Sequence, residues 1–414
     1  MPAVTGRGPA RRGVLTAAAG LAAVAVAAPG ARATDGPGSG AHRSRWTTSW
    51  ATAQTAPTDT DPVASAGLTD GTFTANVRLS AGGQIRLRYG HPFGTAPVLI
   101  GPVTAGGRPV TFGGQRQAWL AAGATLTSDA VAGPRAAEAS LLTVRTELPG
   151  PTGPLSFHRN THASHDVNGE RTTSVYLLTG VEVTGAHGPV IAVLGDSIAE
   201  GVGTPDDSDL RWPDQLARRL PGAAVADLGI SGNRVLLNDA RFGPGGQARF
   251  DRDVLSLPGL RTVLVHLGVN DLQQPPSQTD PALVLAGYRQ LVLRARDAGL
   301  RAVGATIAPF EGWTRWTPEL ETVRLRINAA VRTGRVFDAV ADFDAALRDP
   351  DHPERLRPAY DSGERRMAGR VGVEPVAAVV RGPQPLRVVR VAQGRVEVGH
   401  GVEDPAGPHR GVAP

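Results

Sequence analysis

From Arg43 to about residue 185, apolar positions recur at every second residue in short runs. "QIRLRY", Gln84 to Tyr89, alternates polar and apolar side chains, which puts one face of a strand in a core and the other in water. "TANVRLS" precedes it, and the Ala81-Gly82-Gly83 turn between them predicts a hairpin. Further runs, "PVTFGG", "LLTVRTEL" and "TSVYLLTGVEV", are spaced by Gly and Pro turns, and no long helical period intervenes. An all-β sandwich, jelly-roll-like, is the expected architecture of 43–185.

At Gly188 the pattern changes. "PVIAVLGD" is a continuous apolar run, the mark of a strand buried on both faces. "WPDQLARRL" predicts a short amphipathic helix with Trp212, Leu216 and Leu220 on one side. "AAVADLGI", "RTVLVHLGVND", "RAVGATIAP" and "RVFDAVADF" read as four more buried strands. Helical periods lie between them, clearest in "ALVLAGYRQLVLRARDAG" and "PELETVRLRINAAVRTG". Strand alternating with helix predicts an α/β fold over 188–363, with a parallel, doubly wound sheet of about five strands. Ser197, Gly232 and Asn270 each fall just past a strand, at the carboxyl ends where such sheets build their active sites.

Composition changes this picture mainly at the two ends. Arg11-Arg12 opens an alanine-rich apolar run to Ala28, and Ala31-Arg32-Ala33 is a small-x-small cleavage site. Residues 1–33 are therefore expected to be a twin-arginine-type signal peptide, which implies a secreted protein, with 34–42 a linker. No other segment has the length and apolarity of a membrane span. With no cysteine, an exported chain of this kind must rely on its core and not on disulfides. The net charge of +5 raises the question of a nucleic-acid partner. Setting aside 1–33 and 364–414 leaves 31 basic against 33 acidic residues, a net of −2, and so no reason to expect a polyanion. Every basic residue is arginine, as in a coding sequence of high GC content.

The chemistry gathers at three positions. Serine-type ester hydrolysis needs an exposed hydroxyl, a base for its proton, and donors aimed at the developing oxyanion. Ser197 in "GDSIAEGVG" supplies a hydroxyl at a strand end with free backbone N–H groups. Gly232 in "GISGN" lacks a Cβ, so its N–H can approach a substrate closely, and Asn270 in "LGVND" offers a side-chain amide. Taken singly, each is an ordinary turn or helix cap. Their order and shared placement at successive strand ends set them apart. "GDSIAEGVG" has neither the G-x-G-x-x-G spacing nor the phosphate-loop lysine of a nucleotide site.

At these residues the sequence resembles the GDSL, or SGNH, hydrolase family. Gly195-Asp196-Ser197-Ile198 matches its first block with Ile for Leu, Gly232 in "ISGN" its second, and Gly268-Val269-Asn270-Asp271 its third. The first part of the chain resembles, more loosely, the β-sandwich found ahead of this domain in secreted actinobacterial members. The resemblance implies a flavodoxin-like three-layer α/β/α domain that hydrolyses carboxylic esters, often acetyl groups on sugars or lipid esters, with no metal or cofactor. It implies that Ser197 is the nucleophile and a backbone donor, and that Gly232 and Asn270 complete the oxyanion hole.

The family's last block, Asp-x-x-His-Pro, supplies the base, and here the chain departs from it. Glu364 stands near the Asp position and Met367 near the His, in "ERRMAGRVGVEPVAAVV". Three accounts remain open. In the first, "DPDHP" itself carries the pair, as Asp349 and His352; in the second, the tail 364–414 is disordered or read out of frame; in the third, the chain is a non-catalytic relative that binds a carbohydrate or a surface. Glu397-x-x-His400 has the same spacing but lies far along the chain. His158, His162 and His165, in "FHRNTHASH", are expected to be exposed loop histidines and not a zinc site. His266 is expected to be a buried, hydrogen-bonded strand residue, and Asp196 a brace for the turn at Ser197. Trp313 and Trp316 could wall a substrate pocket or pack in the core.

Overall fold

A computed structural model of the chain describes residues 46–134, 140–185, 188–333 and 336–361, with the backbone of 380–381, 387–392 and 395–400. The signal segment, the linker, and Glu364 and Met367 lie outside the described residues.

The N-terminal region is β-rich and antiparallel. One sheet runs in the order Trp46–Ala51, Leu178–Thr184, Gln84–Gly90, Thr125–Thr127. Another has Thr69–Leu79 and Ser140–Pro151 at its centre, paired along ten positions. Alternation gives both sheets an apolar face: Phe73, Ala75, Val77 and Leu79 from the second share a buried cluster with Ile85, Leu87, Val181 and Val183 from the first. Burying each such side chain contributes roughly 1.5–3 kcal/mol. Inside that cluster the Tyr89 hydroxyl finds the Thr146 hydroxyl at 2.7 Å, so its polar end is satisfied in the core.

The hairpin expected at Ala81-Gly82-Gly83 does not form. Thr69–Leu79 pairs with Ser140–Pro151 and His165–Val167, whereas Gln84–Gly90 pairs with Leu178–Thr184 in the other sheet. The turn is a crossing between sheets, held by the Ser49 hydroxyl, which accepts from Ser80 N–H (2.9 Å) and Ala81 N–H (3.3 Å). Two amphipathic strands joined by a short turn can cover one core from opposite sides as well as pair with each other, and local pattern cannot separate the two.

From Val190 the chain alternates strand and helix. Five parallel strands, β1 (Val190–Gly195), β2 (Ala224–Asp227), β3 (Leu260–His266), β4 (Arg301–Ala305) and β5 (Ala339–Ala341), lie in the order β2-β1-β3-β4-β5, and Val380–Arg381 pairs antiparallel with β5. The helices used below are α1 (Ser197–Glu200), α2 (Trp212–Arg219), α3 (Gly246–Phe250), α4 (Val269–Gln273), α5 (Pro281–Asp297), α6 (Pro318–Arg332) and α7 (Phe343–Leu347). Ala192, Leu194, Val263 and Val265 pack with Phe250, Leu291 and Ile327 from α3, α5 and α6. Leu264, Val303 and Ala305 pack with Phe343, Leu347 and Trp212. Alternate residues of one strand, Leu264 against Val263 and Val265, thus serve different clusters, which explains the unbroken apolar run. Leu220 departs from expectation: α2 ends at Arg219 and Leu220 is exposed.

Strand order places the site. The chain leaves β1 for β2 on one side and returns to β3 on the other, so the loops after β1 and β3 diverge and leave a crevice at the carboxyl edge. The β-rich region packs against this domain: Ala51 and Ala53 join its core, Arg252 Nη2 donates to the Gln54 carbonyl (3.1 Å) and Arg88 Nη1 to the Ser256 carbonyl (2.9 Å).

Candidate active site

β1 ends at Gly195, where a Cβ would lie 2.3 Å from the Ala199 Cβ, so α1 can turn back this tightly only over glycine. Asp196 caps α1, its Oδ1 accepting the Ile198 N–H at 2.9 Å, which is the bracing role expected of it. Burial is complete enough to raise the Asp196 carboxyl to about 7, against the pull of that hydrogen bond. Ser197 is the first residue of α1 and is half-buried. Among the described residues its hydroxyl makes no hydrogen bond and its backbone N–H has no acceptor.

Gly232 lies just past β2 with φ of +78°, and a Cβ there would sit 2.2 Å from the Phe242 ring. Its N–H, buried, is likewise without an acceptor among the described residues. Buried backbone donors are nearly always paired, so the idle one at Gly232, with a second at half-buried Ser197, points to an acceptor supplied from outside the chain. Asn270, in the first turn of α4, is 2 % exposed. Its Oδ1 accepts from Gln273 Nε2 (2.9 Å) and Gln274 Nε2 (2.8 Å), which fixes the amide. Nδ2 gives one hydrogen to the Asn233 carbonyl (3.1 Å) and keeps the other.

The loops are tied by residues that the sequence reading did not single out. Arg249, on α3, is fully buried: Nη2 donates to the Gly195 carbonyl (2.9 Å), Nη1 to the Leu228 carbonyl (2.7 Å) and Nε to Asn233 Oδ1 (3.0 Å). One guanidinium thus joins the ends of β1 and β2 to the Gly232 loop, and the Asn270–Asn233 bond joins that loop to β3. Asp271 fastens the far side, accepting the N–H groups of Val235 (2.8 Å) and Leu236 (3.1 Å). Asn233 and Asp271 sit beside motif residues and could have been flagged; Arg249, in "ARFDRD", carries no local signal. Glu200 and Ser231 form another missed contact, the Ser231 hydroxyl donating to Glu200 Oε2. His158 Nε2 of the β-rich region stands 3.7 Å from Glu200 Oε1. Burial raises the Glu200 carboxyl to about 7 and lowers the His158 imidazole to about 4.

The histidines are not where they were expected. His158, His162 and His165 are buried and hydrogen-bonded, for example His165 Nδ1 accepting the Asn76 N–H, from a strand distant in sequence, at 3.0 Å. A polar loop sequence gave no hint that it would be covered, in part by Glu200 and Asp206 of the second region. His352 is exposed in a turn; Asp349 Oδ1 accepts the N–H groups of Asp351 (2.9 Å) and His352 (3.4 Å) and makes no hydrogen bond to the His352 ring. Among the described residues no histidine is hydrogen-bonded to Ser197. Trp313 and Trp316 are partly buried against the main α/β core.

His266 is buried at the end of β3, but it stacks on Phe343 (4.6 Å between centroids, 10°) and leaves Nδ1 without a partner. Burial lowers this imidazole from 6.5 to about 4, so between those values the unfolded chain binds a proton that the folded chain does not. Stability from this position is complete above that window and lost as pH falls through it. His266→Phe keeps the stack and removes the dependence. Its unfolding free energy relative to wild type is expected to rise by about 1.4 kcal/mol per pH unit as pH is lowered across the window. Urea unfolding at two pH values checks this; an equal difference at both would count against a buried neutral imidazole.

Residues 193–365 match the model of the GDSL-like lipase/acylhydrolase family. The α/β region is a GDSL-like lipase/acylhydrolase domain. In this GDSL domain Ser197, Gly232 and Asn270 lie in the segments that follow β1, β2 and β3, in the order of the motif blocks. No curated protein matches the chain. Among solved structures it is similar to the native aryl esterase of M. smegmatis, at 17 % identity over 44 % of this chain and 94 % of that one, with a TM-score of 0.35. It is similar to Est24, a carbohydrate acetylesterase from Sinorhizobium meliloti, at 15 % identity over 41 % and 89 %, with a TM-score of 0.34. A family two carbohydrate esterase from Clostridium thermocellum, in complex with cellohexaose, matches 70 % of this chain and 86 % of its own at 14 % identity, with a TM-score of 0.30.

Proposed function

We propose that the chain is a secreted serine esterase acting on carboxylic esters, with acetyl esters of carbohydrates as the substrate class. In this reading the GDSL domain is a flavodoxin-like three-layer α/β/α unit behind a β-sandwich, exported through the twin-arginine signal of 1–33. The observation that carries it is the pair of idle N–H groups, Ser197 and Gly232, the second in a loop bound to the Asn270 amide, with a serine hydroxyl that bonds to nothing among the described residues.

Ser197 Oγ attacks the ester carbonyl while its proton passes to a base. The carbonyl oxygen gains negative charge and accepts from Ser197 N–H, Gly232 N–H and Asn270 Nδ2, donors already in place, so little reorganisation accompanies the charge. The C–O bond breaks, the alcohol leaves with a proton, and water repeats the sequence on the acyl-serine. Asn270→Ala is expected to lower kcat by about 10²–10³-fold with a smaller change in KM, since it removes a contact made in the transition state. Steady-state kinetics on p-nitrophenyl acetate read this.

No described histidine is hydrogen-bonded to Ser197, which keeps a second reading in view: a catalytically impaired relative that binds a carbohydrate or a surface. Hydrolysis of p-nitrophenyl acetate by the purified full chain, beside Ser197→Ala and His352→Ala, separates them. Turnover above Ser197→Ala supports the esterase; a wild type no faster than that variant supports the binder. A loss in His352→Ala as well would make "DPDHP" the base-carrying block.

A further inference from the structure

Between the β-rich region and the GDSL domain lies a cleft of about 520 Å³, which Ser197, Gly232 and Asn270 do not line. Its size falls within the ~300–1,000 Å³ of small-molecule sites. One wall is formed by the strands Trp46–Ala51 and Thr69–Leu79 with the segment 161–165; the other by the loop 204–211, α2 and β2.

The charges in it cancel. Arg78 Nη2 stands 2.7 Å from Asp209 Oδ2, with Arg218 Nη2 4.0 Å from the same oxygen, and Arg211 bridges Asp214 (2.8 Å) and Asp227 (3.1 Å). Three guanidinium groups face three carboxylates, so the cleft favours neither an anion nor a cation. Arg211 engages Nε, Nη1 and Nη2 with Asp214 and Asp227, whereas the more exposed Arg78 and Arg218 keep most of their five N–H donors, and each carboxylate has spare lone pairs. Donors and acceptors therefore alternate along the rim, which suits hydroxyl groups, since each can donate and accept. One aromatic, the partly buried Trp50, is among the lining residues. The C–H faces of a sugar ring are weakly positive and sit well on an aromatic face.

Two further features belong to the same place. His162 is buried and lines the cleft; its Nε2 accepts from Asn160 Nδ2 (3.1 Å), so the neutral ring carries its hydrogen on Nδ1. Nδ1 faces the Asp206 carboxylate at 3.4 Å, so the ring is held in one orientation at the edge of the cleft. His162 (φ +53°), Asp207 (φ +58°) and Asp209 (φ +51°) all hold left-handed backbone conformations that non-glycine residues adopt at a cost. Asp207 is fixed there by Ser164, whose N–H donates to its Oδ1 at 2.6 Å. Strain of this kind persists where the surroundings impose a specific geometry.

We propose that this cleft binds a neutral oligosaccharide, at a site separate from Ser197. The inference goes beyond the esterase reading and does not depend on it.

Calorimetric titration of the full chain with xylohexaose, cellohexaose and mannohexaose tests it, using wild type, Arg218→Ala and Ala217→Trp. Arg218→Ala removes rim donors; Ala217→Trp fills the cleft from the α2 side and deletes no existing contact. At least one hexaose is expected to bind wild type, and both variants are expected to bind it about tenfold or more weakly, a loss of about 1.4 kcal/mol or more, at an unchanged Tm. The proposal is overturned if none of the three binds at millimolar concentration, or if both variants bind as wild type does. Binding lost in Asn270→Ala but retained in Ala217→Trp would place the sugar at Ser197 and overturn it too. A neutral tetrapeptide that binds wild type and fails with Ala217→Trp, where no hexaose binds, would make the cleft a peptide site instead.

Discussion

Ser197→Ala is expected to abolish the hydrolysis of p-nitrophenyl acetate above background, and the size of the drop will show how the serine is activated. The hydroxyl sits at the first position of α1 with no hydrogen bond among the described residues, so nothing there lowers the barrier to its ionisation. If a base engages it in the full chain, the ratio of wild type to variant should reach about 10⁴ or more, the usual cost of losing a member of such a set. If the three donors act alone, attack by a neutral hydroxyl leaves a ratio nearer 10–10². The pH profile distinguishes the cases independently. A base gives a rate that rises and then levels, whereas activation by hydroxide gives a tenfold rise per pH unit with no plateau. A variant as fast as wild type at every pH would remove Ser197 from the mechanism.

Arg249→Met is expected to cost about 3–5 kcal/mol of stability, the largest effect foreseen for a single side chain outside the hydrophobic cores. The guanidinium is completely buried and has four partners: the carbonyls of Gly195 and Leu228, the Asn233 side chain, and the Asp253 carboxylate at 3.3 Å. Methionine fills most of the volume but leaves the Leu228 carbonyl and the Asn233 side-chain oxygen without these donors and a buried Asp253 carboxylate with only Arg252 to balance it. Arg249→Lys should recover only part of the loss, because a single ammonium cannot span partners on three segments. Urea unfolding measures both. A cost below about 1 kcal/mol for Arg249→Met would mean that the strand ends are held by packing, not by this fork.

The same residue shows where local reading stops. The strands of the GDSL domain were legible because burial on both faces writes itself as continuous apolar runs, and the helices because their period differs. The placement of Ser197, Gly232 and Asn270 was legible for a related reason: each lies within a few residues of its strand's carboxyl end, the edge where free donors lie. Local pattern does not reveal partners. It could not tell that Thr69–Leu79 and Gln84–Gly90 enter different sheets, because either pairing buries the same faces. Nor could it tell that His158, His162 and His165 would be covered, because what covers them comes in part from the second region. "DPDHP" has the spacing of a base and its orienting acid, yet Asp349 turns to backbone N–H groups two and three residues ahead and leaves the His352 ring exposed.

By itself the sequence determined the element order, the parallel sheet and the three positions at its carboxyl edge, since these depend on period, strand length and residues adjacent along the chain. The tertiary structure alone decided that Arg249 ties the strand ends, that Ser197 and Gly232 keep idle N–H groups, and that a charge-balanced cleft opens between the two regions. Those features join residues tens to more than a hundred positions apart, and only folding brings such groups within reach of one another.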